Sequence, residues 1–253
     1  MVTDSIVAER ETSRNYARAP ITEAVIEFRV KPAAGVTPEL CKRGFDGILG
    51  QFETRSDISM VQAQFTAGQQ VGAQATQQVI GTKITSTVLR QVLTVTPDTF
   101  ALSQLPPYDK WETFCPAARK LWELYVDATK PQAVTRIATR FVNRIELPRT
   151  GLKLSDYFHT RPNISPEMSQ EVSGVFMQLE LPQQDSACSV LLNLAVLPAA
   201  QDVVPVILDI DVFDSARELN IDDRLWNRLD EFRRQKNKIF EACITDKVRE
   251  LIS

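Results

Sequence analysis

The sequence predicts an α+β protein of two layers, in which a curved antiparallel sheet is built from two tandem β-α-β(3-4)-α units and two long helices cover one face. Strand-like segments follow one another at short intervals, and consecutive strands joined by short turns pair antiparallel. These segments alternate apolar and polar residues, which is typical of a sheet buried on one side. The order of strand, helix, several strands and helix occurs twice, over residues 20–130 and 131–253.

The first unit begins with a strand at residues 23–30, whose alternate residues are apolar: Ala24, Ile26, Phe28 and Val30. Thr37 and Pro38 form a helix start, because threonine caps helices and proline is tolerated at the first helical position. We expect this helix to reach about Phe52. Further strands are expected at residues 58–67, 83–96 and 99–105. Residues 68–80 are rich in Gln and Gly and are interpreted as a frayed strand or a mobile loop.

A helix beginning at Asp109 closes the first unit. Its apolar residues occur at offsets of 0, 3, 7, 10, 11 and 14, namely Trp111, Phe114, Ala118, Leu121, Trp122 and Tyr125. Such spacing places the side chains on one face of a helix, so this face is predicted to cover the sheet.

The second unit repeats the pattern. Its elements are a strand at residues 134–147, a short helix near Asp156, strands at residues 172–182, 187–197 and 203–213, and a helix from Asp222 to about Leu251. If a pseudo-dyad relates the units, their first strands meet at the centre of one sheet, which resembles the TATA-binding-protein-like and helix-grip-like architectures. Two separate small sheets are the alternative. One continuous domain behind a flexible tail at residues 1–19 is the favoured organisation.

Composition limits the classes of function. With 29 basic and 32 acidic residues the net charge is −3, which excludes the strongly basic footprint of a nucleic-acid packaging protein. Four widely spaced cysteines and the lone His159 do not form a zinc-finger pattern, and no cofactor is expected. No apolar run reaches the roughly 20 residues that span a bilayer. We therefore expect a cytoplasmic protein with reduced cysteines and no membrane partner.

The strand at residues 134–147 is the most informative segment. Arg136, Arg140 and Arg144 fall on the face opposite its apolar residues. At ~3.3 Å per residue, neighbouring arginines in this row are about 13 Å apart.

Carboxylates are expected on the same polar face of the sheet. Glu23 and Glu27 belong to the first strand, and Asp209 and Asp211 belong to the last one. Opposite charges that pair across strands would make this a solvated face with a structural role. Alternatively, the arginines bind an anionic partner, such as a nucleic acid, a nucleotide or an acidic protein surface, because guanidinium suits bidentate recognition of phosphate and carboxylate.

The sequence favours a non-enzymatic binding or regulatory protein, since it contains no P-loop, no GxSxG, no HExxH and no EF-hand loop. A metal-dependent nuclease or other phosphate-processing enzyme is the first alternative, in which Asp209 and Asp211 bind Mg²⁺ or Mn²⁺. The second alternative is a structural subunit that pairs its sheet face or edge with a second copy. A basic cluster on the last helix is interpreted as a solvated helix face and consists of Arg233, Arg234, Lys236 and Lys238.

Four segments of the chain are distinctive. They are Ala19-Pro20-Ile21-x-Glu23-Ala24-Val25, Pro107-Tyr108-x-x-Trp111-Glu112-x-Phe114, Arg136-Ile137-x-x-Arg140-Phe141-Val142-Asn143-Arg144-Ile145 and Phe240-Glu241-Ala242-x-Ile244-Thr245-Asp246-Lys247. Together they resemble a sporadically distributed prokaryotic family of about this length whose function is unassigned. The resemblance implies a role in phage defence or a toxin–antitoxin type of system, and it carries over no catalytic residue. The candidate binding residues that the sequence predicts are Arg136, Arg140, Arg144, Glu23, Glu27 and Asn143.

Overall fold

The computed structural model of the protein describes residues 14, 16–66, 72–168, 174–200 and 202–253. The strands within these ranges are β1 (Ile21–Lys31), β2 (Thr54–Thr66), β3 (Gly72–Ser86), β4 (Gln91–Thr96), β5 (Thr99–Gln104), β6 (Ala133–Pro148), β7 (Val175–Gln183), β8 (Cys188–Val196) and β9 (Val203–Asp214). They form one antiparallel sheet in the order β2-β3-β4-β5-β1-β6-β9-β8-β7.

The helices of the described residues are α1 (Pro38–Arg43), α2 (Trp111–Thr129), α3 (Leu154–Tyr157), α4 (Arg224–Cys243) and α5 (Asp246–Ile252). The predicted α+β class is confirmed. Within the described ranges, no helix is both long and apolar enough to cross a bilayer. Each of the four cysteines is a free thiol.

The first strands of the two units, β1 and β6, pair with each other at the centre of the sheet. Their antiparallel register places Phe28 opposite Ile137 and Val25 opposite Arg140. From this central pair the first unit continues outward through β5, β4, β3 and β2, and the second through β9, β8 and β7. The predicted meeting of the two first strands is confirmed, and the alternative of two separate sheets is wrong.

Both long helices pack on the same face of the sheet. The ring of Phe28, on the central strand β1, lies 4.3 Å from that of Trp122 in α2 and 5.6 Å from that of Trp226 in α4, measured between ring centroids. The predicted stripe of α2 is buried throughout. One continuous cluster of buried side chains joins residues of both units, so the two helices cover one shared core.

The structure differs from the predicted elements where close packing or a turn intervenes. The predicted strand at residues 83–96 is a hairpin of β3 and β4, whose turn contains Arg90 with a φ of +54°. The first helix ends at Arg43 instead of reaching Phe52, and a short 3₁₀ turn follows at Asp46–Ile48. Thr37 does cap this helix, accepting a hydrogen bond from the backbone N–H of Leu40 at 3.2 Å.

The last helix, predicted to be continuous, is broken between α4 and α5. At the break, Ile244 pairs with Phe158 in an isolated β-bridge, and the backbone N–H of Thr245 donates to the carbonyl of Tyr157 at 3.0 Å. The segment after α3 thus takes backbone groups that would otherwise continue the helix. Because that segment is about 85 residues away in sequence, the apolar periodicity of the helix gives no sign of the break.

Candidate functional site

The predicted arginine row lies on the face of the sheet that the helices leave open. Arg136 binds two carboxylates on neighbouring strands: its guanidinium is 2.5 Å from Glu27 Oε1 on β1 and 2.6 Å from Asp211 Oδ2 on β9. Its guanidinium carbon also lies 4.6 Å from the ring centroid of Phe213. Since the Arg136 side chain is only 15% exposed, it is held within the face rather than extended from it.

Arg140 is paired as well, but it is more accessible. Its Nε and Nη2 each donate to a carboxylate oxygen of Asp209 at 2.8 Å, and Asn193 donates to the same carboxylate at 3.0 Å. The hydrogen bonds to Asp209 raise the pKa of Arg140, which stays charged. Its side chain is 48% exposed, so one side of this guanidinium faces solvent.

Two charged groups of the open face are incompletely paired: Arg144 and one oxygen of Asp211. Arg144 lies near the carboxylate of Glu146, at 3.5 Å, and both side chains are well exposed. Asp211 Oδ1 is buried without a hydrogen-bond partner. Burial raises the pKa of Asp211, and the adjacent Arg136 offsets part of this effect.

Asn143 does not belong to the open face. It is buried among the side chains under the helices, and its Nδ2 donates to the backbone carbonyls of Phe141 at 3.3 Å and Leu208 at 3.0 Å. The strand alternation already separates it from the arginines, since odd-numbered residues of β6 face the helices. The six candidate binding residues therefore fall on two surfaces.

Electrostatically, the open face is balanced rather than cationic. The arginines on β1 and β6 are Arg29, Arg136, Arg140 and Arg144. The carboxylates among and beside them are those of Glu23, Glu27, Glu146, Asp209 and Asp211. Pairing across strands accounts for the most buried of these charges, which supports the structural interpretation of the row.

For the metal alternative, the relevant carboxylates are already bound. Asp209 and Asp211 contact Arg140 and Arg136, so each carboxylate is neutralised by a guanidinium. Within the described part of the chain, no group of three or more His, Cys, Asp and Glu side chains is arranged to hold a metal ion.

A cleft of about 1110 Å³ opens on the other side of the sheet, and we call it the helix-side cleft. It lies between the chain that leads into β1, the loop before α2, strand β6 and helix α4. Its lining residues include Tyr16, Pro20, Tyr108, Trp111, Phe141, Asn143, Arg233, Lys236, Phe240 and Glu241. All four distinctive segments of the sequence contribute to this lining.

Lys236 is the unusual residue of the helix-side cleft. It belongs to α4, is only 8% exposed, and its Nζ lies 4.0 Å from the ring centroid of Phe141. Among the described residues, no hydrogen bond or ion pair joins this amine to another side chain. Desolvation lowers the pKa of Lys236 to about 7, and the nearby Arg233 contributes in the same direction.

The other polar groups of the cleft mostly have partners. Tyr16 Oη donates to Glu241 Oε1 at 2.5 Å, and Arg233 contacts Glu112 at 3.2 Å. The indole N–H of Trp111 donates to Asp230 at 2.6 Å. Burial raises the pKa of Tyr108, whose phenol therefore stays protonated.

Two of the buried polar side chains that line the cleft leave a group available for a ligand. One is the Lys236 amine. The other is the amide oxygen of Asn143, because the described hydrogen bonds of this residue use its Nδ2. The cleft thus offers a buried cation and an acceptor beside aromatic walls.

Sequence reasoning placed Lys236 on a solvated face, and the structure shows this to be wrong. A signal for its burial was present in the periodicity of the helix. Lys236 follows Leu229 and Phe232 and precedes Phe240 at spacings of three and four residues, on the buried stripe of α4. A lysine at such a position is the exception that marks a candidate site.

Comparison of the sequence with known proteins identifies no family for this chain. No protein-family model matches the chain, and no curated protein is significantly similar to it. The resemblance of the four segments to an uncharacterised prokaryotic family therefore stays a prediction, and function is inferred from the geometry of the site.

Proposed function

We propose that this protein is a non-enzymatic binding protein that holds a small anionic ligand in the helix-side cleft, with the Lys236 ammonium as the recognising group. The observation that carries this proposal is the position of Lys236, a buried residue that lines the cleft and has no carboxylate partner among the described residues.

A buried ammonium without a partner is costly, because its transfer out of water is not compensated by hydrogen bonds or an opposite charge. Here the amine of Lys236 lies against the face of the Phe141 ring and has no hydrogen-bond or ion-pair partner among the described residues. A carboxylate or phosphate placed against Nζ would supply the missing charge and the missing acceptors. The amine is therefore more favourable in the ligand-bound protein than in the free one.

The shape and charge of the cleft suit such a ligand. Pockets that bind small molecules usually have volumes of about 300–1,000 Å³ and combine apolar walls with a few polar groups. The helix-side cleft reaches this size, and Tyr108, Trp111 and Phe240 provide its aromatic walls. Five basic residues line it against three acidic ones, which favours an anion. We therefore infer a ligand with an anionic group and an apolar or aromatic body.

The architecture is also compatible with this proposal. We infer a TATA-binding-protein-like or helix-grip-like arrangement, supported by the central pair of β1 and β6 and by two long helices on one face. Fold alone does not determine function, so the site carries the argument. A cytoplasmic location and a role in defence stay predictions.

The test labels the Lys236 amine with the aldehyde pyridoxal 5′-phosphate, and an anion that binds against the same amine should protect it from this label. A neutral lysine amine adds to the aldehyde carbon and loses water to form an imine, which borohydride then reduces to a stable secondary amine. Lys236 should be labelled first at neutral pH, because its amine is partly neutral there while exposed lysines are protonated. Peptide mass spectrometry locates the label.

Lys238, which is exposed on the same helix, is the internal control. Inorganic phosphate and benzoate are added as competitors in separate arms, so protection by one or the other tells whether the site prefers phosphate or carboxylate. Labelling of Lys236 that is no faster than that of Lys238, or that neither competitor slows, would contradict the proposal.

A further inference from the structure

The terminal strand β2 leaves one side of its backbone unpaired. Its thirteen residues pair on one side with β3, and no strand of the described residues lies on the other side. β3 in turn pairs with β4 only over Thr82–Ser86. The two strands therefore continue, from Ile58 to Thr66 and back from Gly72, as a two-stranded ribbon beyond the rest of the sheet.

This ribbon lacks the residues that usually protect a free sheet edge. Natural edge strands carry lysines, other charges or prolines that prevent pairing with another chain. Residues 58–82 contain no charged residue and no proline. Met60, Val61 and Val79 are exposed by 44%, 64% and 37%. The ribbon is thus an unprotected, partly apolar edge.

The opposite edge of the sheet provides an internal comparison. Strand β7 is nine residues long and carries Glu180 and Pro182, both exposed. Proline has no N–H to donate, and glutamate repels a like-charged neighbour. The two terminal strands of the same sheet therefore differ: β7 is protected against pairing, and β2 is open to it.

We propose that β2 is a dimerisation strand, which pairs antiparallel with β2 of a second copy of this chain and joins the two sheets across a two-fold axis. A second copy fits this edge because the ribbon is uncharged, so two identical strands meet without like-charge repulsion. Such a contact is isologous, since the same residues face each other on both copies. This inference is independent of the ligand in the helix-side cleft.

The test is the molar mass of the full chain by size-exclusion chromatography with light scattering, over a range of protein concentrations. The wild-type chain should elute at twice its 28.5 kDa. The double variant Val61→Lys, Gln62→Lys places like charges on both faces of the edge and should give the monomer mass. Phe176→Lys, at an exposed position of β7, is the matched control and should remain a dimer.

Circular dichroism verifies that each variant is folded, and Gln62→Lys alone replaces the double variant if the latter unfolds. A wild-type chain that is monomeric at every concentration would overturn the inference. The edge of β2 would then be expected to pair with an extended segment of another protein instead of a second copy. A dimer that persists in the folded β2 variant, or one that Phe176→Lys dissociates, would place the interface elsewhere.

Discussion

Lys236 destabilises the folded protein at neutral pH, because its side chain is buried and its amine has no partner among the residues that the structure describes. Its pKa is about 7 in the folded state against 10.5 for the free side chain. Between pH 7 and pH 10.5 the unfolded chain therefore binds a proton at Lys236 more tightly than the folded protein does. Protonation of this amine thus favours unfolding. The destabilisation is complete below pH 7 and disappears as the pH rises to about 10.5.

We therefore expect Lys236→Met to be more stable than the wild type at pH 7. Methionine keeps the apolar stem and removes the charge, and one pKa unit corresponds to about 1.4 kcal/mol, so the gain is on the order of a few kcal/mol. Thermal unfolding should show the gain at pH 7 and its loss as the pH approaches 10. Benzoate or phosphate should stabilise the wild type by binding its folded form, and neither should stabilise this variant. Lys238→Met, on the exposed side of α4, is the control and should change neither the stability at pH 7 nor the effect of the anions. An unchanged melting temperature in Lys236→Met would contradict the burial argument.

Arg136 is expected to be a structural residue of the open face. Removing its guanidinium leaves Glu27 and the partly buried Asp211 without their shared partner. We expect Arg136→Ala to destabilise the protein by about 2 kcal/mol, less than for a fully buried pair because these groups retain some contact with water. Urea unfolding measures this change.

Arg144→Ala is the comparison for Arg136→Ala, because its pair with Glu146 is long and exposed and should change the stability by at most about 0.5 kcal/mol. If both variants keep the wild-type stability, the structural interpretation fails. The arginine row would then be available to an anionic partner, as the sequence also allowed.

At the scale of elements, Gly44 determines where the first helix meets the second. A Cβ built at this position would lie 2.5 Å from Cβ of Ala128 in α2, which is closer than two such atoms approach in proteins. The glycine lets the end of α1 contact α2 directly. Gly44 directly follows the last residue of α1, Arg43.

We expect Gly44→Ala to destabilise the protein by roughly 1–3 kcal/mol, since the added methyl group must push the two helices apart. Gly47→Ala is the matched control: a Cβ there meets no atom within 4 Å, so this variant should be neutral or more stable by up to about 1 kcal/mol. Chemical unfolding of the two variants separates the steric effect from the general preference of alanine over glycine. Equal stabilities would contradict the close contact.

Most elements follow from local sequence patterns, and their failures share one cause. The alternation in β1, β6, β8 and β9 predicted each of these strands, because a sheet buried on one side imposes that period directly on the chain. The turn at Arg90 and the break at Ile244 escaped prediction. The turn at Arg90 was missed because the strands on both sides of it are equally apolar. The break at Ile244 was missed because a distant segment, which contains Phe158, forms hydrogen bonds with the backbone there.

For the whole molecule, the two units form a single sheet because their first strands pair with each other. This pairing places the arginine row at the centre of the open face and Asn143 on the opposite side, above the core. The same central strand β6 therefore contributes to both surfaces. Ion pairs stabilise the open face. The helix-side cleft contains the charge of Lys236, which no described residue neutralises.

The amino-acid sequence by itself determined the fold class, the repeated order of elements, the face on which each strand residue lies and the burial of the long helices, since all of these depend on the period of apolar residues along the chain. The tertiary structure alone decided that the arginines are paired and that four segments far apart in sequence enclose a cleft around Lys236. The reason is physical: a charge is paired or left alone according to which side chains meet in space, and periodicity along one element does not specify its neighbours.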